Sequence, residues 1–424
     1  MNVTSSTDNL RDVARTLFDT LQAASDDGVG ITRDGYGPGE TRALELLENF
    51  ASTEGFHAER DDAGNLTVTA NGPCSREPIL IGSHVDSVPQ GGNYDGAAGI
   101  VAGLLCLVRF RNEGIEPHVP IKVLALRGEE SAWFGRANIG SRALFGKLST
   151  EDLLLRKRES TATLQDCMRA AGANVDAIAA KQSLLAPRTI AAYLELHIEQ
   201  GAVMVSRGFQ TAIVPAIRGN MRHKQICCIG EAAHSGATPR WLRRDSVFAI
   251  AELLTRLDEH WCVLLERGLD LVVTAGIIGT NPAEHAVSRV PGEAMFSLEV
   301  RSQSQETLEA FYRLIQTECE AISIARRVRF EFDRRVDSAP ARMNEQIVSA
   351  LLECSRSLGL PVELIPSGPG HDASVFANNG IPSAMIFVRN EHGSHNPKEA
   401  MALDDFMAGV ELLYAACQDP KWLR

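Results

Sequence analysis

The stretch Gly82 to Gly96, GSHVDSVPQGGNYDG, contains residue types that bind metal ions. An apolar run that predicts a buried strand precedes it and a helix-periodic run follows it, so we expect its side chains at the carboxyl end of a strand, where open α/β sheets bind ligands. His84 offers an imidazole nitrogen and Asp95 a carboxylate, and both suit zinc-like or manganese-like ions. Asp86 is placed to orient the His84 ring through its other nitrogen. A His-x-Asp sequence alone fits a structural role equally well, so the interpretation depends on further ligands.

Further ligand-type side chains follow other strand-like runs. The pair Glu129 and Glu130, then His197, then His395 each come after a different apolar run. Together with the first stretch they provide three imidazoles and enough carboxylates for two divalent ions, if one carboxylate bridges the ions. Adjacent side chains on a strand point to opposite faces, so we expect one glutamate to bind an ion and the other to transfer protons.

The chain has 424 residues, more than one hydrophobic core usually supports, so two domains are expected. Strands and helices alternate over residues 1–214 and 332–424, which predicts an α/β di-metal domain with a mostly parallel sheet flanked by helices. Residues 215–331 follow the order βαββαβ of a ferredoxin-like unit. This second segment is predicted to be a small domain inserted into the larger one.

Four local predictions concern single elements. A helix from about Gly39 to Glu54 is predicted to bury one apolar face, made of Ala43, Leu46, Leu47 and Phe50. Trp241 to Arg267 predicts a second helix, and Leu271 to Ile278 predicts a strand. The segment Leu148 to Ala186 is polar and without ligand-type clusters, and it is predicted to be a surface insertion.

Composition excludes several classes of protein. The net charge is −12, and the sequence contains no basic stripe of the kind that nucleic-acid binding needs. No apolar stretch reaches the ~18 residues of a membrane span. The amino terminus, MNVTSSTDNLRD, shows no secretory signal, and the nine cysteines include no CxxC pair, which favours reduced thiols. A cytoplasmic protein without nucleic-acid or membrane partners is therefore expected.

Six sequence strings together resemble a family of di-metal amidohydrolases. The strings are GSHVDSVPQGGNYDG, RGEESAWFGRANIGSRA, ELHIEQG, EAAHSGATP, SGPGHDA and GSHNPKE. The family comprises N-carbamoyl-L-amino-acid hydrolases, β-ureidopropionases and allantoate amidohydrolases, and the resemblance runs from roughly Asp34 to the last predicted helix. It implies two divalent ions per subunit. Histidine and carboxylate ligands without thiolate suit zinc or manganese, with cobalt or nickel as alternatives.

The same resemblance implies a role for each ligand-type residue. It assigns one ion to His84 and His197, the other to Glu130 and His395, and the bridging position to Asp95. Glu129 is then the general base, and Asp86 supports a ligand. His392 is an alternative to His395, which we prefer because it begins the Ser-His-Asn-Pro turn.

The resemblance also implies how substrate is bound. Gln200, Ser288, Arg301 and Gly370 are expected to contact the substrate. His371 and Asp372 are possible ligands, but we expect them to orient the pocket or the substrate, and we include His371 among the substrate-binding residues. His234 is implied to reach across a homodimer interface, formed by the inserted domain, as an oxyanion donor. Arg301 is implied to pair with the substrate carboxylate across the same interface, a task that suits the bidentate guanidinium. Ser288, in AVSRVPG, stands where the family usually carries asparagine, which changes reach and donor pattern.

The implied activity is cleavage of the carbamoyl C–N bond of an N-carbamoyl-L-amino acid or related ureido acid, with release of ammonia and carbon dioxide. Allantoate or ureidoglycolate amidohydrolase is one alternative, and a dipeptidase or aminoacylase with the same two-metal site is another. A catalytically silent scaffold is a third, but such a protein is expected to lack a ligand or the base. The sequence has all of them.

Overall fold

The computed structural model describes residues 6–70 and 76–423. They fall into two compact units, one comprising residues up to Pro215 together with those from Arg342 onward, and the other comprising Ala216–Ala341. The segment used above to argue against a secretory signal lies partly outside the described residues. No helix in the described ranges is long and apolar enough to cross a lipid bilayer.

The helices and strands are numbered along the chain. The α-helices are α1 (Ser6–Ser25), α2 (Pro38–Thr53), α3 (Ala97–Glu113), α4 (Ile139–Leu144), α5 (Thr150–Leu153), α6 (Leu164–Ala170), α7 (Val175–Ala179), α8 (Val203–Arg207), α9 (Ser246–Glu266), α10 (Gln305–Arg326), α11 (Glu345–Ser357), α12 (Asp372–Asn378) and α13 (Leu403–Gln418). The strands are β1 (His57–Arg60), β2 (Leu66–Thr69), β3 (Ile79–His84), β4 (Ile121–Leu126), β5 (Ala192–Ile198), β6 (Thr211–Val214), β7 (Ala216–Ile217), β8 (Gly219–Ile229), β9 (Ala233–His234), β10 (Val272–Thr274), β11 (Ile278–Thr280), β12 (Arg289–Val290), β13 (Glu293–Ser302), β14 (Arg329–Phe332), β15 (Val336–Ser338), β16 (Ala341–Arg342) and β17 (Ser383–Val388).

The larger unit contains a mixed sheet in the order β1-β2-β4-β3-β5-β17-β6. The four central strands β4, β3, β5 and β17 are parallel, whereas β2 and β6 run antiparallel to their neighbours at the two sides. The α/β class with helices around a largely parallel sheet is confirmed. In this sheet the carboxyl ends of the central strands meet at one edge, since His84 at the end of β3 pairs with Leu126 at the end of β4.

Helix α3 lies in the core of the larger unit. Its sequence is apolar on nearly every face, and most of its residues are buried, as expected for a helix covered on both sides. It packs on β3 and β5 and also contacts α1 and α13. A Cβ at Gly99 would lie 2.3 Å from the carbonyl oxygen of Leu196, so only glycine allows the helix to approach the sheet this closely.

The buried face of α2 differs from the prediction. Leu44 and Ala51 are buried there together with Ala43 and Leu47, whereas Leu46 and Phe50 are only half-buried. The reason is a polar residue. Glu40 is buried as well, because its carboxylate accepts a hydrogen bond from the loop after β4. The buried face of the helix therefore includes the side of Glu40 and is rotated relative to the predicted face.

The segment predicted to be a surface insertion has a small core of its own. Its apolar side chains pack into one buried cluster with residues from the loop after β4, with members that include Trp133, Phe134, Leu153, Leu164, Met168, Val175 and Ile178. The prediction was wrong for these side chains, because the apolar positions are spread over the short helices α5 to α7 and show little periodicity.

The smaller unit contains an antiparallel sheet in the order β10-β13-β8-β14, with β11 and β15 also paired to it. This is the strand order of a βαββαβ unit, and α9 and α10 pack together and on its strands over a shared apolar cluster. The ferredoxin-like arrangement predicted from the sequence is present. A role of this unit in dimerisation stays a prediction.

Two element boundaries in the smaller unit differ from the predictions. The predicted strand Leu271 to Ile278 is split into β10 and β11. The partner strand β13 is irregular there: its register against β8 shifts between Phe296 and Leu298, and Ser297 bonds to the intervening residue Ile277. The predicted helix from Trp241 begins instead at Ser246, where the Asp245 side chain accepts a hydrogen bond from Phe248 N and caps the helix.

Candidate metal centre

Five predicted ligands come from different elements of the larger unit. His84 ends β3 and His197 lies on β5, so both imidazoles stand at the carboxyl edge of the parallel strands. Asp95 lies in the turn before α3, Glu130 in the loop after β4, and His395 in the loop after β17. The structure brings all five together, and four of them are buried while the His395 side chain is 50% exposed.

The two oxygens of Asp95 face different ligand groups. Oδ1 lies 3.1 Å from His197 Nε2 and 3.6 Å from His84 Nε2. Oδ2 lies 3.5 Å from His395 Nε2, which in turn lies 3.0 Å from Glu130 Oε1. One carboxylate therefore stands between a pair of imidazoles on one side and a His–Glu pair on the other. This is the arrangement expected of a bridging ligand.

The donor atoms are close enough for shared ions. Among the described residues, the atoms of His84, Asp95 and His197 lie within 4.8 Å of one another, and the same holds for Asp95, Glu130 and His395. Asp95 Oδ1 is buried and accepts no well-formed hydrogen bond from any described residue. This buried oxygen lies near two imidazole nitrogens and accepts no well-formed hydrogen bond from either, which fits a cation bound between the three atoms.

Electrostatics agree with an ionised bridge. Burial opposes the charge on Asp95, but the imidazoles of His197, His84 and His395 hold the pKa of this carboxyl well below its usual range. Asp95 therefore stays a carboxylate, as a metal ligand must be.

A third group of ligand-type atoms contains Glu195, His197 and His371. It fits an ion less well, since Glu195 accepts hydrogen bonds from Ser83 Oγ at 3.0 Å and Ala373 N at 2.8 Å. His371 Nε2 lies 2.8 Å from Ser367 Oγ, and burial together with His197 holds the pKa of His371 well below its usual range. These residues support the strand ends through hydrogen bonds within the protein.

Asp86 contacts both the His84 ring and the backbone of the glutamate pair. Its Oδ1 and Oδ2 accept hydrogen bonds from the backbone N–H groups of Glu129 and Glu130, each at 3.0 Å. His84 Nδ1 lies 3.1 Å from the Asp86 carbonyl oxygen and 3.4 Å from Oδ1. Asp86 thus orients the His84 ring and also anchors the backbone of the glutamate pair, which local sequence spacing did not indicate.

Glu129 is set apart from the two ligand groups. Its side chain is 9% exposed, and Oε2 lies 4.0 Å from His84 Nε2. Its Oε1 accepts a hydrogen bond from Asn138 Nδ2 at 3.0 Å. Burial raises the pKa of this carboxyl well above its usual range. A carboxylate beside the cluster that favours a proton suits acid–base chemistry.

A buried ion pair supports the loop that carries both glutamates. Arg127 Nε donates to Glu40 Oε2 at 2.5 Å, and the side chains of both residues are 0% exposed. Glu40 Oε1 also accepts from Gly128 N at 2.7 Å, while Asn65 Oδ1 accepts from Arg127 N at 3.0 Å. Burial raises the pKa of Glu40 to about 7. Sequence analysis missed this pair because its members lie 87 residues apart.

Glu399 was also missed, although it ends the quoted string GSHNPKE. Its Oε1 accepts hydrogen bonds from Tyr94 N at 2.8 Å and Asp95 N at 3.2 Å. Its Oε2 lies 2.6 Å from Ser394 Oγ, and the same hydroxyl is also adjacent to Asp95 Oδ2, so its single proton is available to one of these two carboxylates at a time. Glu399 therefore ties the loop of the bridging carboxylate to the loop of His395.

The predicted substrate residues of the larger unit differ in solvent exposure. Gln200 Nε2 donates to Asp95 Oδ2 at 2.7 Å, so its amide stands at the ligand cluster. Gly370 is exposed, whereas the neighbouring His371 is 1% exposed. The substrate roles of these three residues stay predictions.

The remaining predicted residues lie in the smaller unit. His234 is exposed on β9, and its Nδ1 accepts hydrogen bonds from Gly236 N and Ala237 N at 3.2 Å. In a neutral ring the proton then resides on Nε2, which can donate. The Ser288 carbonyl accepts from Ser235 N at 2.8 Å, so the two chain segments are adjacent.

Arg301 lies on β13 and forms an ion pair with Glu299 of the same strand. Its Nε and Nη2 donate to the two carboxylate oxygens of Glu299 at 3.0 and 3.1 Å. The Glu299 carboxylate also bonds to Arg222 on the neighbouring strand β8. The guanidinium is therefore held in a defined orientation on the sheet.

Comparison with known proteins gives consistent matches. The model of peptidase family M20/M25/M40 matches residues 80–419. An N-carbamoyl-L-amino acid amidohydrolase from Geobacillus stearothermophilus is 34% identical over 91% of this chain and 92% of its own, and an allantoate amidohydrolase from Escherichia coli strain K12 is 31% identical over 94% and 95%. The crystal structure of an amidase of the hydantoinase/carbamoylase family from Burkholderia phymatum superposes with a TM-score of 0.85 at 27% identity, covering 98% of both chains.

The first prediction concerns the bridging position. Asp95→Ala removes the carboxylate that faces both ligand groups, so we expect fewer bound ions per chain than in the parent protein after reconstitution with zinc or manganese. Elemental analysis of the desalted protein measures this. Asp19→Ala, at an exposed aspartate on α1, is the matched control and should leave the metal content unchanged. An unaltered ion-to-chain ratio in Asp95→Ala would contradict the bridging assignment.

Proposed function

The chain belongs to peptidase family M20/M25/M40, a family of di-metal hydrolases, and from this membership we propose that it hydrolyses the carbamoyl group of an N-carbamoyl-L-amino acid or a closely related ureido acid. The relatives that it matches include an N-carbamoyl-L-amino acid amidohydrolase and an allantoate amidohydrolase, which are named for hydrolysis of C–N bonds. The observation that carries the proposal is the carboxylate of Asp95, whose oxygens face two separate ligand groups. A ureido carbonyl is a poor electrophile, because both nitrogens donate into it, and its hydrolysis benefits from two-metal assistance.

In this proposal each ion has its own ligands in the larger unit. His84 and His197 would hold one ion and Glu130 and His395 the other, and Asp95, which belongs to both ligand groups, would contribute to both. Zinc and manganese suit imidazole and carboxylate ligands best, with cobalt and nickel as alternatives. When bound, the ions supply Lewis acidity to a water molecule and to the scissile carbonyl.

Glu129 is the general base of the proposed reaction. Its carboxylate takes a proton from the attacking water and passes it to the leaving nitrogen, so that the amine departs neutral. Attack of water breaks one C–N bond and leaves a carbamic acid, which decomposes to the second amine and carbon dioxide. Water plus the ureido acid thus yields the amino acid, ammonia and carbon dioxide.

Substrate binding in this proposal uses the residues that the family resemblance and the sequence analysis assigned to it. Arg301 pairs with the substrate carboxylate, and His234 donates from Nε2 to the carbonyl oxygen as negative charge develops there. Gln200 and Ser288 contact the ureido group, and Gly370 and His371 shape the wall of the pocket. By analogy with the family, His234 and Arg301 come from a second copy of the chain in a homodimer.

Two alternatives remain within the same chemistry. The similarity to an allantoate amidohydrolase supports allantoate or ureidoglycolate as substrate, since both carry a ureido group beside a carboxylate. A dipeptidase or aminoacylase with the same site is the other alternative. The cytoplasmic location and the absence of nucleic-acid and membrane partners stay predictions.

A substrate panel tests the proposed activity. Protein reconstituted separately with zinc and manganese is incubated with N-carbamoyl-L-amino acids, allantoate, ureidoglycolate, N-acetyl amino acids and dipeptides, and released ammonia or free amine is measured. We expect turnover of ureido acids. Turnover confined to N-acyl or dipeptide substrates would assign the site to an aminoacylase or peptidase instead.

A second experiment tests the base. Glu129→Gln keeps the shape of the side chain but cannot accept a proton, so kcat should fall by about 10²–10⁴-fold while the metal content stays at the parent value. Kinetics and elemental analysis on one preparation separate the two effects. Glu45→Gln, at an exposed position on α2, is the control and should keep full activity. Parent-like turnover in Glu129→Gln would remove this residue from the mechanism.

Mixed dimers test the proposed sharing of residues between copies. Glu129→Gln and Arg301→Ala homodimers should each be nearly inactive, whereas a heterodimer of the two variants contains one site with both intact residues. We expect partial recovery of activity after mixing and subunit exchange, followed with differently tagged chains. Full exchange without any recovery would show that Glu129 and Arg301 act within one chain.

A further inference from the structure

The side-chain amide of Asn138 lies between two buried carboxylates. Its Nδ2 donates to Glu129 Oε1 at 3.0 Å and to Asp372 Oδ1 at 3.1 Å, and the residue is 5% exposed. An amide NH₂ group has two hydrogens, so one bond is available for each carboxylate. The opposite orientation of the amide would place its oxygen against two carboxylate oxygens, so the environment selects this orientation.

The backbone of Asn138 fixes the direction of this amide. Its φ is +59°, a left-handed conformation that asparagine tolerates better than most residues. Asn138 N donates to the Glu129 carbonyl oxygen at 2.8 Å, and the Asn138 carbonyl accepts from Arg142 N at 2.9 Å. The residue is thus bound to Glu129 through both backbone and side chain, immediately before α4.

Asp372 holds the far side of the amide. It is 1% exposed, and its Oδ1 also accepts a hydrogen bond from Ser141 Oγ at 2.5 Å. Its Oδ2 is buried and accepts no hydrogen bond from any residue in the described ranges 6–70 and 76–423. A buried carboxylate is costly, so a residue of this kind is expected to serve a purpose beyond packing.

The consequence concerns the orientation of Glu129. A glutamate side chain has three rotatable bonds, and an unrestrained carboxylate would populate several rotamers. The bond from Asn138 fixes Oε1, which leaves Oε2 as the oxygen turned toward His84, 4.0 Å from its Nε2. Proton transfer requires such a defined geometry, because displacing a reacting group by about 1 Å can cost about 10²-fold in rate.

We propose that Asn138 is a positioning residue that holds Glu129 in its productive orientation, with Asp372 as the fixed anchor of the Asn138 amide. The proposal rests on the role of Glu129 as general base in the proposed function. Neither Asn138 nor Asp372 belongs to the two ligand groups found among the described residues, so the inference adds a layer of support behind the base rather than a ligand.

The test replaces the amide by an apolar side chain of similar size. In Asn138→Leu we expect kcat to fall about 10- to 100-fold, with KM within about 2-fold and metal content unchanged, since base geometry and not substrate binding is altered. Asn379→Leu is the matched control, because Asn379 donates its amide to a helix carbonyl away from Glu129, and it should keep parent kinetics. Asp372→Asn provides a second variant if Asn138→Leu is unstable, and it should shift kcat in the same direction.

Two further readouts distinguish positioning from a merely structural role. In the Glu129→Gln background, Asn138→Leu should cause no additional loss, because it positions a base that is no longer present. A crystal structure of Asn138→Leu should show the Glu129 carboxylate displaced or in several rotamers. Parent-like kcat in a folded Asn138→Leu protein, multiplicative losses in the double variant, or an unmoved Glu129 would each overturn the proposal. If the parent protein turns over no ureido acid, the proposed function fails, and the crystal structure still decides the positioning role.

Discussion

The carboxylate of Asp95 is the interaction on which the rest of this site depends. Its two oxygens face nitrogen atoms of three histidines that come from three different segments of the chain. Such a concentration of imidazoles and carboxylates is unfavourable inside a protein unless charges are balanced, and cations shared by these groups, as proposed above, would provide that balance. The surrounding structure keeps Asp95 in place and ionised.

Buried acids that accept backbone hydrogen bonds provide this support. Asp86 binds the N–H groups of Glu129 and Glu130, Glu399 binds the N–H group of Asp95, and Glu40 binds that of Gly128. These hydrogen bonds offset the cost of burying each carboxylate, and they also fix a loop that carries a proposed ligand or the proposed base. The residues proposed to bind metal and to transfer protons therefore depend on a layer of acids that lie outside the two ligand groups among the described residues.

The errors of sequence analysis have a common cause. The buried stripe of α2 is rotated because Glu40 points inward to Arg127, and a rule that places apolar residues inside and charged residues outside assigns such a glutamate to the surface. The short helices α5 to α7 bury apolar side chains that are too widely spaced to show a period. In both regions, contacts between distant residues outweighed the local pattern.

By itself the sequence determined the α/β class, the inserted βαββαβ segment and the set of ligand-type residues, because strand periodicity places the residue after each parallel strand at one edge of the sheet. Only the tertiary structure decided which oxygen faces which nitrogen, that Asp86 anchors the glutamate pair, and that Asn138 stands between Glu129 and Asp372. These contacts join backbone N–H groups and side chains far apart in the chain, 304 residues in the case of Glu399 and Asp95. Local spacing carries no information about such contacts, since they form only when separate loops fold against one another.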